Sequence, residues 1–349
     1  MPRFREIDSL YIVRAFAITA VVANHALTVS FAGGLNLLLL LSGIAFAQLC
    51  FNRQTEVSLP RAAVQFIRPL LIWSVVLCLF WFAVFKRFEL AEMLMVSNWV
   101  TASRVSKFPI WYTQVMLQMM LAIVVLFQTF HLTPLFRRAP VLASAGALAA
   151  AAGLAIFAQG AFDSDDLKDK LPHLHAWNFV LGWLFWAVLI SRQPRPGHQL
   201  LLTLISLPLL LFMFLGLDVP AADARAQVAI LPAILLIWLP KIRLPFALVH
   251  PVSLISQATL YLFFLHYPFL LAVRNLLDGI LPPDLVGFLQ FGAAMIGPIL
   301  IWAAGTATRR TLQEAATRRR SDDERIGALG NVAPADRGAD LQSCTSSGG

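Results

Sequence analysis

Residues 9–27 read SLYIVRAFAITAVVANHAL. As a helix rising 1.5 Å per residue, such a run covers about 28 Å, close to the roughly 30 Å hydrocarbon core of a bilayer. The pattern of an apolar run ended by a polar or Pro/Gly-rich break recurs as far as Thr306. The breaks divide the chain into about ten spans, near residues 9–28, 35–51, 64–85, 109–130, 139–158, 174–190, 199–216, 226–240, 252–273 and 285–305.

Composition agrees with that reading. The 349 residues are 58% hydrophobic and 13% charged, against roughly 45–50% and 25% in soluble domains. This excludes a soluble globular protein and predicts an all-α, polytopic membrane bundle of about ten transmembrane helices. The start of the chain, with Arg3 and Arg5 before an apolar run, resembles a secretory signal. Arg14 interrupts the run and no small-residue cleavage site follows, so an uncleaved first helix is expected.

The net charge of +8 gathers largely in the tail, at Arg309, Arg310, Arg318, Arg319, Arg320 and Arg325. Such juxtamembrane clusters answer to anionic lipid and the positive-inside rule, and no nucleic-acid partner is expected. An even number of spans puts both termini on one side. Placing them in the cytoplasm leaves Arg53, Arg61, Arg137, Arg138, Arg192, Arg195, Lys241 and Arg243 inside and the acidic stretch Asp163–Asp169 outside. The exception is the long outer segment 86–108, with Lys86, Arg87, Arg104 and Lys107. Its run FELAEMLMVSNWV reads either as an amphipathic helix on the membrane face or as a plain connecting loop. Residues 1–306 are expected to form the transmembrane domain, and 307–349 a disordered basic cytoplasmic tail.

In such a chain the informative residues are polar ones inside spans, because an ionisable group at a helix centre costs about 2.5–3.5 kcal/mol to insert. Arg14 and His25 lie eleven positions apart, which at 100° per residue brings them to within about 20° of one helix face, about 16 Å apart along the axis. The guanidinium suits an anionic ligand such as a phosphate, and the imidazole suits proton transfer. The structural alternative is that both snorkel to the headgroups. His266, in ATLYLFFLHYPFLL, is expected at a depth similar to His25, either bonded across helices or at the substrate.

Every Asp and Glu falls outside the expected spans. That leaves Asn24, Asn36, Ser42, Thr113, Gln114, Gln118, Asn178 and Tyr261 as candidate polar neighbours of His25. Asp163–Asp166 with His173 and His175 reads as a divalent-metal site or as a solvated loop beside interfacial histidines, and no metal is expected. Ser42 with Gly43 reads as a nucleophile or as a small pair that lets helices approach. Cys50, Cys78 and Cys344 show no ligand or disulfide spacing.

Several stretches together resemble the membrane acyltransferase 3 family of integral-membrane O-acyltransferases. They are Arg14 and His25 in the first span, LLSGIAF in the second, and RAAVQFIRPLLIW with Arg61, Arg68 and Pro69 in the third. FPIWYTQVMLQ and LYLFFLHYPFLL complete the likeness, which extends over about residues 5–305. The family's Asp-x-Leu-Arg is not reproduced here, since Asp8 is followed by Leu10 and Tyr11 and Arg14 comes three residues late.

The resemblance implies transfer of an acyl group, most often acetyl, from cytoplasmic acetyl-CoA or another acyl-CoA to a hydroxyl of an exported or cell-envelope glycan at the inner membrane. It assigns Arg14, with Arg61 and Arg68, to the donor's phosphates, and His25 to catalysis as base or transient acyl carrier. Ser42, Trp111 and His266 fall to the acceptor or thioester. Expected partners are therefore acyl-CoA, a glycan or lipid-linked saccharide and membrane lipid, with self-association left open. The competing class is a transporter or lipid-linked sugar flippase, which the count of spans suits but which lacks paired broken helices. A structural partner in an envelope assembly is the third.

Overall fold

The computed structural model describes residues 4–27, 30–52, 54, 57–85, 90–99, 110–161, 170–190, 195–215 and 222–330. The chain opens with strand β1 (Phe4–Asp8) and helices α1 (Ser9–Ala26), α2 (Gly34–Cys50) and α3 (Leu59–Phe85). A short α4 (Leu90–Met93) and a 3-10 turn (Ser97–Trp99) lead to α5 (Trp111–Thr129), α6 (Thr133–Arg138) and α7 (Pro140–Ala161). Helix α8 (Pro172–Phe185) ends in a π turn over Trp186–Ile190, and α9 (Pro196–Leu215) and α10 (Ala222–Trp238) follow. Strand β2 (Lys241–Pro245) then precedes α11 (Phe246–Gln257), α12 (Thr259–Leu277) and α13 (Pro283–Gly330).

Nine of the described helices are long and apolar enough to cross a membrane. The remaining expected span, 226–240, is present as the seventeen-residue α10, which carries Pro232 inside it. The expected span 252–273 divides at Ala258 into α11 and α12. Asp163–Asp166, Lys86, Arg87, Arg104, Lys107, Arg53, Arg192 and Cys344 lie outside the described residues.

Hydropathy does not foretell the two strands. FREID and KIRLP pair antiparallel, from Phe4 opposite Pro245 to Asp8 opposite Lys241. The ribbon ties the entry of α1 to the exit of α10, and Ser9 N–H donates to Pro240 O at 3.0 Å. Asp8 closes the ribbon and caps α1, its Oδ1 accepting the Leu10 N–H at 2.8 Å.

Helices α2 and α8 form the centre: 72% of each spanning window is buried, against 28% for α3, α9 and α12. They cross at Gly43 and Gly182. A Cβ on Gly43 would strike the Phe179 carbonyl, and one on Gly182 would strike the Leu40 carbonyl and come within 2.9 Å of Gly43 Cα. Gly43 is therefore a helix-approach residue, the packing alternative for the Ser42–Gly43 pair. Below the crossing, Phe46, Phe51, Phe127, Phe136, Phe179 and Trp183 interlock, with Phe51 and Phe136 centroids 4.7 Å apart and Phe51 edge-on to Trp183 at 5.3 Å. Each such pair contributes about 0.5–1.5 kcal/mol beyond area burial.

Part of the 86–108 segment folds back onto α5. Gln114 accepts the Asn98 N–H at 3.0 Å and donates to Ser97 Oγ at 2.7 Å. Gln118 and Asn98 exchange amide bonds at 2.8 and 3.0 Å, while Gln118 also donates to Met95 O and accepts from the Trp99 indole. Between residues 90 and 99 this is a pinned strap. Its Glu92 is only 4% exposed, so one acid outside the spans is nonetheless buried.

Among the described residues, those from Leu300 on group as a unit of their own, distinct from the residues up to Ile299. Helix continues to Gly330, through residues that composition assigns to a disordered tail. The stretch TLQEAATRRR is rich in strong helix formers. Its Thr311 and Thr317 hydroxyls bond back to carbonyls four residues earlier.

Candidate active site

Helix α1 is unbroken from Ser9 to Ala26, so the eleven-residue interval between Arg14 and His25 translates into about 16 Å on one face, as spacing predicts. Arg14 is half-buried and His25 exposed. The neighbour of His25 comes from α12: the His25 and His266 rings are stacked, with centroids 5.4 Å apart and planes inclined by 25°. Tyr267 meets His25 edge-on at 6.4 Å, and Trp81 of α3 stands 6.2 Å from Tyr267. Behind them Val22, Ala26, Leu270 and Ala294 form a buried apolar cluster that holds α1 and α12 together.

His266 is 1% exposed. Its Nδ1 lies 2.9 Å from the Leu262 carbonyl oxygen; a carbonyl only accepts, so Nδ1 carries the hydrogen. In the neutral ring, Nε2 then holds the lone pair, and it finds no hydrogen-bond partner among the described residues. Pro268, inside the helix, removes the N–H that would bond the Phe264 carbonyl and loosens the turn bearing His266.

Two further elements reach this centre. Ser42 Oγ and the Tyr112 hydroxyl lie 3.2 Å apart, and the Tyr112 ring packs on Phe263 at 4.9 Å. Phe263 in turn lies 6.4 Å from His266. Side chains from α1, α2, α5 and α12 are thus joined through successive contacts. Trp111 is set beside His175 at 5.5 Å, and Trp99 beside His173 at 6.1 Å. No ring contact joins Trp111 to either histidine of the pair among the described residues.

Arg61 and Arg68 are exposed, seven residues apart in the first three turns of α3. The buried face of that helix carries Ala63, Ile67, Leu70, Leu77 and Trp81. Both arginines lie about 145–165° from its centre, near exposed Ile72 and Leu79. The structure therefore turns them away from the bundle interior, unlike Arg14.

Of the proposed polar neighbours of His25, Asn24 instead accepts the Phe31 N–H at 3.1 Å. Gln114 and Gln118 hold the strap, and Tyr261 packs against Trp73 at 4.8 Å. Among the described residues no three His, Cys, Asp or Glu side chains converge as metal ligands. Tyr112, Tyr267 and the Leu262 carbonyl are the participants that sequence reading missed. A tyrosine in an apolar helix has a hydroxyl to satisfy, and that signal would have drawn attention to Tyr112.

An imidazole open to substrate, stacked on a second imidazole of fixed tautomer, can accept protons or a transferred group. A family model described as an acyltransferase domain matches residues 7–307. The chain belongs to the membrane acyltransferase 3 family. The match covers the stretch on which the resemblance rests and every helix of the bundle that carries the site, so this is a multi-pass membrane acyltransferase. No curated protein and no solved structure matches the chain. Within the acyltransferase, Arg14 and His25 share the first helix, and His266 and Pro268 belong to the Tyr-Leu-x-x-His-x-Pro segment.

Proposed function

We propose that this protein moves an acyl group, most often acetyl, from acyl-CoA to a hydroxyl of an exported or envelope glycan at the bacterial inner membrane. The observation that carries the reading is the His25–His266 pair, 5.4 Å between centroids, in an acyltransferase fold with His25 open to approach. His25 is the catalytic ring, as base toward the acceptor hydroxyl or as carrier of the acyl group. Arg14, on the same helix face toward the β1–β2 ribbon, receives the donor's phosphates, and a pantetheine arm is long enough to bridge the interval of about 16 Å to His25.

Arg61 and Arg68 meet the outer part of the nucleotide from the wall of the bundle. Ser42, Trp111 and His266 serve the acceptor or the reacting thioester. The bonded hydroxyls of Ser42 and Tyr112 are the polar groups that can steady an oxyanion, as acyl transfer requires. A transporter needs no thioester. Purified protein incubated with acetyl-CoA and, separately, longer acyl-CoA is expected to release free thiol, and Arg14→Gln to raise the KM for the donor. A protein that transports a saccharide but cleaves no thioester would overturn the proposal.

A further inference from the structure

Two histidines meet at the centre, and the structure equips them unequally. His25 is exposed, and none of its ring nitrogens is bonded to a described residue in a way that orients it. His266 is 1% exposed and its Nδ1–H is committed to the Leu262 carbonyl at 2.9 Å. That is the arrangement of a general base: an imidazole whose Nδ1 is tied by a third group, so that Nε2 presents its lone pair. Because Nδ1 turns back along α12, Nε2 at the other edge of the ring points away from that backbone. A buried acceptor left unmatched destabilises the fold, a loss that an incoming hydroxyl would recover.

The separation has the right size for a division of labour. A hydroxyl oxygen must stand about 2.6–3.2 Å from the base that takes its proton, and about 3–3.5 Å from the carbonyl carbon it attacks. With 5.4 Å between ring centroids, an acyl group on His25 and the lone pair of His266 are near enough to share one oxygen, once the enclosed Nε2 is opened to the acceptor.

We propose that His266 Nε2 is the base toward the acceptor hydroxyl, acting on an acyl group carried by His25. The inference rests on the acyltransferase reading and assigns its two rings. In the first half, a nitrogen of neutral His25 attacks the thioester carbonyl; the C–N bond forms, the C–S bond breaks, and the departing thiolate takes the proton of the acylated ring. In the second half, the acceptor oxygen attacks the acyl carbon as its proton passes to His266 Nε2. The C–N bond breaks, and His266 returns the proton to the His25 nitrogen. Each half leaves both rings neutral.

The test uses full-length purified protein and acetyl-CoA labelled in the acetyl group. His266→Phe keeps a ring of similar size against His25 and removes the acceptor nitrogen, so a merely structural stack survives it. The expected result is hydroxylamine-sensitive label accumulating on the His266→Phe protein, mapped to His25 and absent from the His25→Ala/His266→Phe double variant. Transfer to envelope glycan in membranes should fall about 10²- to 10⁴-fold. His266→Asn, smaller and polar, should behave likewise and guards against a folding defect peculiar to Phe.

Near-wild-type transfer by His266→Phe would overturn the proposal, leaving His266 as a packing residue. So would loss of transfer without label on a protein that elutes and melts like the wild type. If wild-type protein cleaves no acyl-CoA, the failure belongs to the acyltransferase reading and takes this inference with it.

Discussion

A single methyl group at Gly43 should unseat the centre of the bundle. Placed there, a Cβ runs into the Phe179 carbonyl oxygen, with the carbonyl carbon at 2.8 Å and Gly182 Cα at 3.2 Å. All three belong to the α8 backbone, so no side chain can swing aside. Ordinary contact requires α2 and α8 to part by about 1.5 Å or more, and even gaps of 0.5–1 Å forfeit about a quarter to a half of the dispersion energy of the facing atoms. Overpacking of this kind costs about 1–3 kcal/mol, and here the upper end applies because the obstruction is main chain.

The conversion for a chain of this size, roughly 2 °C or somewhat less per kcal/mol, gives a fall of about 3–6 °C in the unfolding midpoint. Ser42 adjoins Gly43, so its 3.2 Å contact with Tyr112 should be disturbed as well, and activity should fall with stability. The control is Gly153→Ala in α7, where an added Cβ meets nothing within 4 Å and the midpoint should hold or rise slightly. Tryptophan fluorescence and size-exclusion recovery of detergent-purified protein over a temperature series give both midpoints. A Gly43→Ala protein that melts with the Gly153→Ala control would refute the assignment of this crossing.

Two other perturbations follow from the hydrogen bonds. Gln118→Ala removes the amide that joins Asn98, Met95 and Trp99, and protease sensitivity between residues 90 and 99 should rise several-fold in limited digestion. Tyr112→Phe keeps the ring on Phe263 and loses the Ser42 bond, about 1 kcal/mol of stability. If the hydroxyl pair supports an oxyanion, kcat in the thioester assay should fall by more than that stability loss predicts, with KM little changed.

The long helices were legible because membrane insertion demands apolar length, and SLYIVRAFAITAVVANHAL or the leucine run of α2 satisfies it without help from the rest of the chain. The Arg14–His25 face was legible too, since helical periodicity fixes it wherever the helix is unbroken. What escaped depends on contacts between distant residues. The β1–β2 ribbon joins two short, charged segments some 240 residues apart, neither of which alternates strongly enough to announce a strand. The meeting of His25 with His266 was expected only as a similarity of depth; the rotation and crossing of α1 and α12 decide whether equal depth becomes contact.

Arg61 and Arg68 show the same limit from the other side. Their position near the start of α3 was clear, but the face they occupy follows from which residues pack against α2, α5 and α12. Glu92 lies outside every expected span, yet the glutamine pair on α5 that holds its segment lies more than twenty residues away.

The central claim is that acyl transfer takes place at His25. Membranes bearing wild-type protein or His25→Ala at equal level should be given labelled acetyl-CoA, and the cell's envelope glycans analysed for label. Wild-type membranes are expected to label glycan, and His25→Ala membranes to transfer at least about 10²-fold less while the protein stays folded and inserted. Equal labelling by the two would contradict the account.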